Sequence, residues 1–151
     1  MLEKVDASPK KPLQQPLVLL VEDDYDQRAL FKMFFERLNM TVVPVENAEA
    51  AKEILGEIHF DLVICDINMP NIDGTELITQ LRQAGDQETL PVLCFTADPH
   101  HHEDEVLRCG ANAFCLKTER SRLARTATEL VTGAGAQSLL PEVCRRFHQS
   151  M

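Results

Sequence analysis

The sequence predicts an α/β domain in which helices cover both faces of a doubly wound, five-stranded parallel sheet. Short apolar runs, typical of strands buried on both faces, alternate five times with helical patterns along the chain. Because crossovers between such units are right-handed, few topologies remain. The 151 residues suffice for one domain and are too few for an eight-stranded barrel.

The strands are predicted from runs of apolar and β-branched residues bounded by turn residues. They are expected at Leu17–Val21, Thr41–Val45, Phe60–Cys65, Pro91–Phe95 and Ala113–Leu116. Pro44 places the second strand near an edge of the sheet, because proline cannot donate to a strand ladder.

Helical periodicity and cap residues predict the five helices. They are expected at Tyr25–Leu38, from Ala48 to about Glu57, from Asp73 to about Ala84, at His102–Cys109 and at Ser121–Thr132. Asn47 is a candidate N-cap, and Gly85 and Gly110 are expected to end the third and fourth helices. In the first helix, one buried side is predicted to carry Leu30, Phe31, Phe34, Phe35 and Leu38.

The folded domain is expected over residues 17–133. Residues 1–16 contain three prolines and are interpreted as a flexible N-terminal arm. Residues 134–151 form a C-terminal tail, in which Ser138–Phe147 has the spacing of a short amphipathic helix. That helix would either pack on the domain or serve as a docking segment or the start of a linker.

Composition excludes several classes of function. The formal charge of −9 argues against direct binding to nucleic acid, which needs clustered Lys and Arg. No apolar stretch approaches the roughly 20 residues of a membrane span, and the N-terminus lacks the apolar core of a signal peptide. We therefore expect a cytoplasmic protein with no membrane association. Cys65, Cys94 and Cys115 are interpreted as buried thiols, and Cys144 as the most exposed one.

Polar side chains that could bind a ligand or take part in a reaction follow four of the five strands. Glu22 and Asp23 follow the first, Asp66 the third, Thr96 the fourth and Lys117 the fifth. In a parallel sheet these strand ends share one edge, where ligands of open α/β folds bind. The converging carboxylates repel each other, and a divalent cation bound between them would offset this repulsion.

Each residue type suits phosphoryl transfer to a carboxylate. Asp23 and Asp66 offer the hard oxygens that Mg²⁺ prefers, and the backbone carbonyl of Asn68 is placed to add a third. A carboxylate beside the cation can attack a phosphoryl group in line. Lys117 supplies an ammonium and Thr96 a hydroxyl to the phosphoryl oxygens.

From Leu17 to Thr132 the chain resembles the receiver domain of two-component response regulators. The resemblance is carried by Val21-Glu22-Asp23-Asp24, by Asp66 to Gly74 (DINMPNIDG), by Thr96-Ala97 and by Lys117, all at family spacing. It implies the flavodoxin-like strand order 2-1-3-4-5 and a phosphorylation-activated, Mg²⁺-dependent signalling module rather than a turnover enzyme.

The resemblance also implies the role of each site residue. Asp66 is the expected phosphoacceptor and Asp23 the main metal ligand, with Glu22 acting partly through water. Thr96 and Lys117 are expected to bind the phosphoryl group, and Phe114 is expected to be the switch aromatic that turns inward with Thr96.

Implied partners follow from the same family. A histidine kinase or phosphotransfer protein is the expected donor. A downstream protein is expected on the face formed by the fourth helix, the fifth strand and the fifth helix, on a monomer or a phosphorylation-dependent dimer. Receivers usually carry proline after the lysine, in a bond that is often cis. Here Thr118 follows Lys117, so this bond is either cis or trans, and Thr118 is a candidate cap for the last helix.

Other readings of the same residues remain open. Phosphatases of the haloacid dehalogenase type also use a strand-end aspartate, but they need a second aspartate where this chain has Asn68. A phosphorylation-independent adaptor and a receiver excised from a larger hybrid kinase or regulator are the alternatives to a single-domain regulator. Asp24 is either a first-turn helix residue or support for the metal site.

Overall fold

The structure is a computed structural model that describes residues 15–69, 73–85, 89–100 and 103–132. Within these ranges, five parallel strands form one sheet in the order β2-β1-β3-β4-β5, as predicted. The strands are β1 (Leu17–Val21), β2 (Thr41–Val45), β3 (Leu62–Asp66), β4 (Val92–Thr96) and β5 (Ala113–Leu116). The helices are α1 (Tyr25–Glu36), α2 (Ala48–Leu55), α3 (Gly74–Gln83), α4 (Glu103–Arg108) and α5 (Arg120–Thr132).

Most boundaries fall within two residues of the prediction, and the differences have local causes. At the end of α1, Leu38 N–H donates to the carbonyl of Phe35, and Asn39 adopts a positive φ of 64°. The helix therefore tightens into a turn after Glu36 instead of continuing to Leu38. In β3 the regular strand begins at Leu62 and includes Asp66 itself.

Helices cover both faces of the sheet, as predicted. Phe31 and Phe35 of α1 pack in one core cluster with Leu123 and Ala127 of α5. The opposite cluster contains residues of α2, α3 and α4, namely Ala48, Ala51, Leu55, Leu77, Ile78, Leu81 and Val106. Each strand of the centre thus contributes side chains to both cores, which explains why β1, β3 and β4 are almost continuously apolar.

One core prediction is wrong. Leu30 was expected beside Phe31 on the buried side of α1, but it is 45% exposed. Each residue turns an α-helix by about 100°. Leu30 therefore lies well round the helix from Phe31 and points to solvent, whereas Phe31 and Phe35, one turn apart, are buried.

The edge position of β2 is confirmed. In the described ranges β2 pairs with β1 alone, and Pro44 lies opposite Leu20 in that ladder. The cap predictions are confirmed as well: Asn47 Oδ1 accepts from Ala50 N–H at 2.7 Å, and Gly85 and Gly110 have φ values of 73° and 117°. Positive φ is the conformation for which glycine is favoured after a helix.

Some predictions fall outside the described residues. These are the arm as far as residue 14, the tail from residue 133, and His102 at the start of the fourth helix. None of the helices in the described part of the chain is both long enough and apolar enough to cross a membrane.

Candidate functional site at the carboxyl edge of the sheet

The loop after β1 places two acidic side chains at the carboxyl edge of the sheet. Glu22 is 1% exposed and its N–H donates to the carbonyl of Val45 at 3.1 Å, so β2 holds it in line with β1. Asp23 follows it and is exposed. Asp24 is the N-cap of α1, because its Oδ1 accepts from Gln27 N–H at 2.9 Å. It stands just before the first turn, not within it.

Arg28 fixes the backbone of this loop. Its Nη1 donates to the carbonyls of Glu22 at 2.9 Å and Asp23 at 3.2 Å. Its guanidinium also lies 5.5 Å from the ring centroid of Tyr25. One side chain of α1 therefore holds the two acidic residues in register with the sheet.

Asp66 ends β3 with both carboxylate oxygens engaged. Oδ1 accepts from Asn68 N–H at 3.0 Å, and Oδ2 accepts from Lys117 Nζ at 3.0 Å. Asp66 is 5% exposed. The carboxylate therefore has a fixed orientation at the strand end and a small opening to solvent.

Gly74 allows the next helix to approach this strand end. The Gly74 N–H donates to the carbonyl of Ile67 at 3.0 Å. A Cβ at position 74 would lie 2.6 Å from the Asp66 carbonyl oxygen and 2.8 Å from Ile67 Cα. Only a residue without a side chain fits here, so the DG pair of the sequence both caps α3 and packs it against β3.

Thr96 ends β4 and is fully buried. Its Oγ1 lies 3.1 Å from Asn68 Nδ2 and 3.1 Å from Asp98 N, both of which donate to it. Asp98 Oδ1 in turn accepts from His100 N–H at 2.9 Å. The loops after β3 and β4 are thus joined through one hydroxyl beside Asp66.

Lys117 follows β5 and donates to three acceptors at once. Its Nζ lies 2.6 Å from Glu22 Oε2, 3.0 Å from Asp66 Oδ2 and 2.5 Å from Gln27 Oε1. The side chain is 8% exposed, and the two carboxylate partners are exposed by 1% and 7%. All three donors of the ammonium are satisfied.

Burial and charge shift the pKa values of this group in a consistent way. Burial raises the pKa of Glu22 to about 7, against the lowering effect of the hydrogen bond from Lys117. Burial alone would lower the pKa of Lys117, but the hydrogen bond to Glu22 and the charge of Asp66 outweigh it and raise that pKa. Lys117 therefore remains an ammonium across the physiological range.

Aromatic rings form the floor under the ammonium. Lys117 Nζ lies 4.9 Å from the ring centroid of Phe95 and 5.8 Å from that of Phe31. Arg120 stacks on Phe31 at 5.2 Å and on Phe34 at 5.8 Å, and its Nε donates to the carbonyl of Lys117 at 3.0 Å. The loop after β5 is thereby fastened to α1 by a charged hydrogen bond and cation–π contacts.

Three carboxylates fit a divalent cation. One oxygen from each of Glu22, Asp23 and Asp66 lies within 4.8 Å of the other two. Hard oxygen ligands with one exposed member suit Mg²⁺, which keeps several waters when bound. This fit rests on the donor atoms and on their mutual distances.

The remaining predicted residues have defined positions. Phe114 is 7% exposed in β5, opposite Cys94 in the β4–β5 ladder. The bond between Lys117 and Thr118 is trans. Thr118 is not the cap of α5, because the carbonyl that accepts the first helical bond, from Leu123 N–H at 2.8 Å, belongs to Glu119.

The structure thus brings together the five polar residues predicted at this edge, and it adds Gln27, Arg28 and Arg120. Sequence reasoning missed these three. A polar residue in the first turn of a helix is usual on a solvated surface, so nothing in the pattern distinguished Gln27 or Arg28. Arg120 depends on rotamers that bring it back across α1, which spacing alone does not specify.

Comparison with known proteins identifies the family. Residues 18–128 match the family model of the response regulator receiver domain. Regulator of RpoS from Escherichia coli strain K12 is 36% identical over 108 residues, which are 71% of this chain and 32% of that protein. The chain therefore spans about a third of this relative. A 14.6 kDa protein encoded in the sodA1 3' region of Leptolyngbya boryana is 34% identical over 70% of this chain and 81% of its own length.

Solved structures agree in fold. The signal receiver domain of a signal transduction histidine kinase from Syntrophus aciditrophicus is 31% identical, with a TM-score of 0.69 over 79% of this chain and 92% of that one. The receiver domain of the sensor histidine kinase PA1611 from Pseudomonas aeruginosa PAO1 is 21% identical, with a TM-score of 0.72 over 79% and 99%. That structure holds a magnesium ion in its active-site cleft. This chain belongs to the response regulator receiver domain family of two-component systems.

Proposed function

We propose that this protein is a phosphorylation-activated receiver, a single-domain response regulator that accepts a phosphoryl group on Asp66. One observation carries the proposal. Among the described residues, the four buried polar or charged side chains are Glu22, Asp66, Thr96 and Lys117, and all four lie at one edge of the sheet. Burying polar groups costs stability, so their concentration beside one carboxylate supports a chemical role for the cluster.

In this proposal Mg²⁺ is held by Glu22, Asp23, Asp66 and the backbone carbonyl of Asn68. The mutual distances of the three carboxylates support it. The magnesium ion bound by the PA1611 receiver domain is consistent with the same use of the fold. When bound, the cation would screen the negative charges of the carboxylate and the phosphoryl group from each other.

The donor is a phosphohistidine of a histidine kinase or phosphotransfer protein. An oxygen of Asp66 forms the new bond to phosphorus while the bond from phosphorus to the donor nitrogen breaks, and the electron pair stays on the imidazole. Lys117 and Thr96 then bind phosphoryl oxygens. The hydrogen bonds that hold Asp66 in one orientation support this role, since an aligned nucleophile lowers the barrier to transfer.

The proposed response uses Thr96 and Phe114 as the switch and a downstream protein as the reader. The partner face consists of α4, β5 and α5, in a monomer or a phosphorylation-dependent dimer. The protein acts as a phosphoryl acceptor that dephosphorylates itself, not as a turnover enzyme, and it binds neither nucleic acid nor membrane directly. A cytoplasmic location suits its free cysteines, of which Cys65, Cys94 and Cys115 are buried.

The domain context is also part of the proposal. We propose a receiver over residues 17–133, with an arm before it and a tail after it. A second candidate is a receiver module of a larger regulator or hybrid kinase. It is supported by Regulator of RpoS, which is about three times as long as the segment that matches this chain.

Phosphorylation in vitro tests the proposed function. The protein is incubated with Mg²⁺ and a small acyl phosphate donor, and intact mass spectrometry follows the addition of one acid-labile phosphoryl group. Labelling is expected for the wild type and absent for Asp66→Asn. Asp61→Asn is the matched control, because the exposed Asp61 side chain lies at the other end of the sheet, where its Oδ2 accepts from Leu17 N–H at 2.7 Å.

Three outcomes separate the alternatives. An unlabelled wild type, under conditions that label a known receiver, would contradict the switch and favour the adaptor. Persistent label on Asp66→Asn would assign the phosphoryl group to another residue. Repeated turnover of a phosphate ester would favour the phosphatase class.

A further inference from the structure

Three acceptors surround the Lys117 ammonium, and they differ in kind. Glu22 and Asp66 are carboxylates that also belong to the acidic cluster of Glu22, Asp23 and Asp66. Gln27 is a neutral amide outside that cluster, and its contact with Nζ is the shortest of the three at 2.5 Å. Glu22 and Asp66 can therefore bind either Lys117 or a cation, whereas Gln27 contacts Lys117 and lies outside the acidic cluster.

We propose that Gln27 is a positioning residue that holds the Lys117 ammonium at the phosphoacceptor when the carboxylates turn to other partners. The inference rests on the proposed function and deepens it. A cation or a phosphoryl group at the acidic cluster competes with Lys117 for the oxygens of Glu22 and Asp66. The Gln27 amide keeps its oxygen for the ammonium throughout.

Gln27 is built to hold a fixed position. It lies in the first turn of α1, where its N–H donates to the cap residue Asp24 at 2.9 Å. Lys117 carries donors only, so the atom that faces Nζ is the amide oxygen. The helix that carries Gln27 is joined to the loop of Lys117 a second time, because Arg120 stacks on Phe31 of α1 and donates to the Lys117 carbonyl.

The neutral charge of Gln27 matters as much as its position. A third carboxylate would add repulsion against the incoming phosphoryl group. An apolar residue would leave one donor of the ammonium without an acceptor, which is costly because the Lys117 side chain is only 8% exposed. An amide oxygen satisfies the donor without either effect.

Gln27→Met is the test variant, because methionine has similar length and helix propensity and accepts no strong hydrogen bond. The expected result is a phosphorylation rate constant lower by about tenfold, the scale of a lost hydrogen bond to a charged group. The matched control is Gln80→Met. It removes the same kind of contact, Lys52 Nζ to Gln80 Oε1 at 2.7 Å, on the exposed surface of α3, and the rate should stay at the wild-type value.

A double-mutant cycle with Lys117→Ala distinguishes positioning from a general structural effect. If Gln27 acts through Lys117, Gln27→Met has no further effect on the rate once Lys117 is absent. Additive losses would overturn the proposal, as would a wild-type rate in Gln27→Met. Urea unfolding of each variant checks that the folded state persists, and Gln27→Ala repeats the cycle with a second side chain.

Equilibrium binding of beryllofluoride in the presence of Mg²⁺, followed by ¹⁹F NMR, gives the cycle a second readout. This readout does not require that Lys117→Ala be phosphorylated. The expected pattern is the same: weaker binding for Gln27→Met in the wild-type background and no further loss beside Lys117→Ala. Failure of the wild type to take up phosphate would contradict the proposed function. A labelled wild type with additive variants would contradict only the role of Gln27.

Discussion

Burial decides the chemistry of the individual site residues. Lys117 and Glu22 keep their contact in a region of low exposure, where each would be costly alone. The Lys117 ammonium therefore offsets the negative charges of Glu22 and Asp66. Asp23 remains exposed, so a cation can reach it from solvent. The burial that costs stability also restricts the orientations open to the side chains of Glu22, Asp66 and Lys117.

The buried thiols give a pH-dependent prediction at the same scale. Burial raises the pKa of Cys115 to about 11 and raises the pKa values of Cys65 and Cys94 as well. Because the thiolate is the reactive form, iodoacetamide should leave these three thiols unmodified in the native protein from pH 7 to pH 9. Cys109, which is only partly buried, should react under the same conditions.

Peptide mapping by mass spectrometry checks this pattern. In urea the three protected thiols should react at rates that rise with pH, since unfolding returns them to water. Native modification of Cys115 at the urea rate would contradict the prediction.

The elements meet the site through close backbone contact. The first residue of α3 is Gly74, and the last residue of β3 is Asp66. Their backbones approach so closely that a methyl group at position 74 would overlap the Asp66 carbonyl oxygen, at 2.6 Å. The packing of α3 therefore bears directly on the backbone of Asp66, the proposed phosphoacceptor.

Gly74→Ala is expected to destabilise the protein and to slow phosphorylation of Asp66. Backbone atoms must shift to admit the new Cβ, which typically costs about 1–3 kcal/mol in a packed region. Urea unfolding measures the loss of stability, and intact mass spectrometry measures the rate.

Gly56→Ala is the matched control, since a Cβ there meets its nearest atom at 3.5 Å, an ordinary contact. It should leave both quantities near wild type. Equal effects of the two substitutions would show that the overlap at Gly74 is relieved without cost to Asp66.

The elements were predictable where a single local pattern determines them. The apolar runs of β1 and β5 and the caps Asn47 and Gly85 fixed boundaries because each depends on neighbours in sequence. The prediction for Leu30 is wrong because it rests on apolar character alone. The rotation of about 100° per residue turns Leu30 away from the buried side of α1. The strand ends predicted which residues converge at the site, since parallel strands share an edge.

What the sequence did not predict are contacts that depend on rotamers across elements. The bond from Lys117 to Gln27 joins residues 90 positions apart, and the one from Asn68 to Thr96 joins residues 28 apart. Each depends on side-chain torsions set by packing of the finished fold. Periodicity carries no information about them.

The whole molecule carries an excess of negative charge, and the site concentrates it. The net charge is −9, and Glu22, Asp23 and Asp66 lie within reach of one cation with Lys117 beside two of them. Repulsion among the carboxylates opposes folding when no cation is bound. We therefore expect the stability of the fold and occupancy of the site to be linked.

Asp23→Asn tests this linkage, because it removes one charge and leaves the buried ion pairs of Lys117 with Glu22 and Asp66 in place. Without Mg²⁺ the variant should be more stable than wild type by up to about 1 kcal/mol, the scale of an exposed charge interaction. Saturating Mg²⁺ should reverse the order. Binding at a hundred times the dissociation constant adds about 2.7 kcal/mol to the native state, and the variant lacks the proposed main ligand for it.

Urea unfolding with and without Mg²⁺ measures both differences, with Glu57→Gln as a control of equal charge change at an exposed position after α2. The control should gain as much stability from Mg²⁺ as the wild type does.

A wild-type midpoint that does not move with Mg²⁺ would contradict the metal site itself. An equal gain in Asp23→Asn would leave the site in place but assign its main ligand to another residue. The reversal of order is therefore the informative result, because only a cation held by Asp23 makes the same carboxylate unfavourable in one condition and favourable in the other.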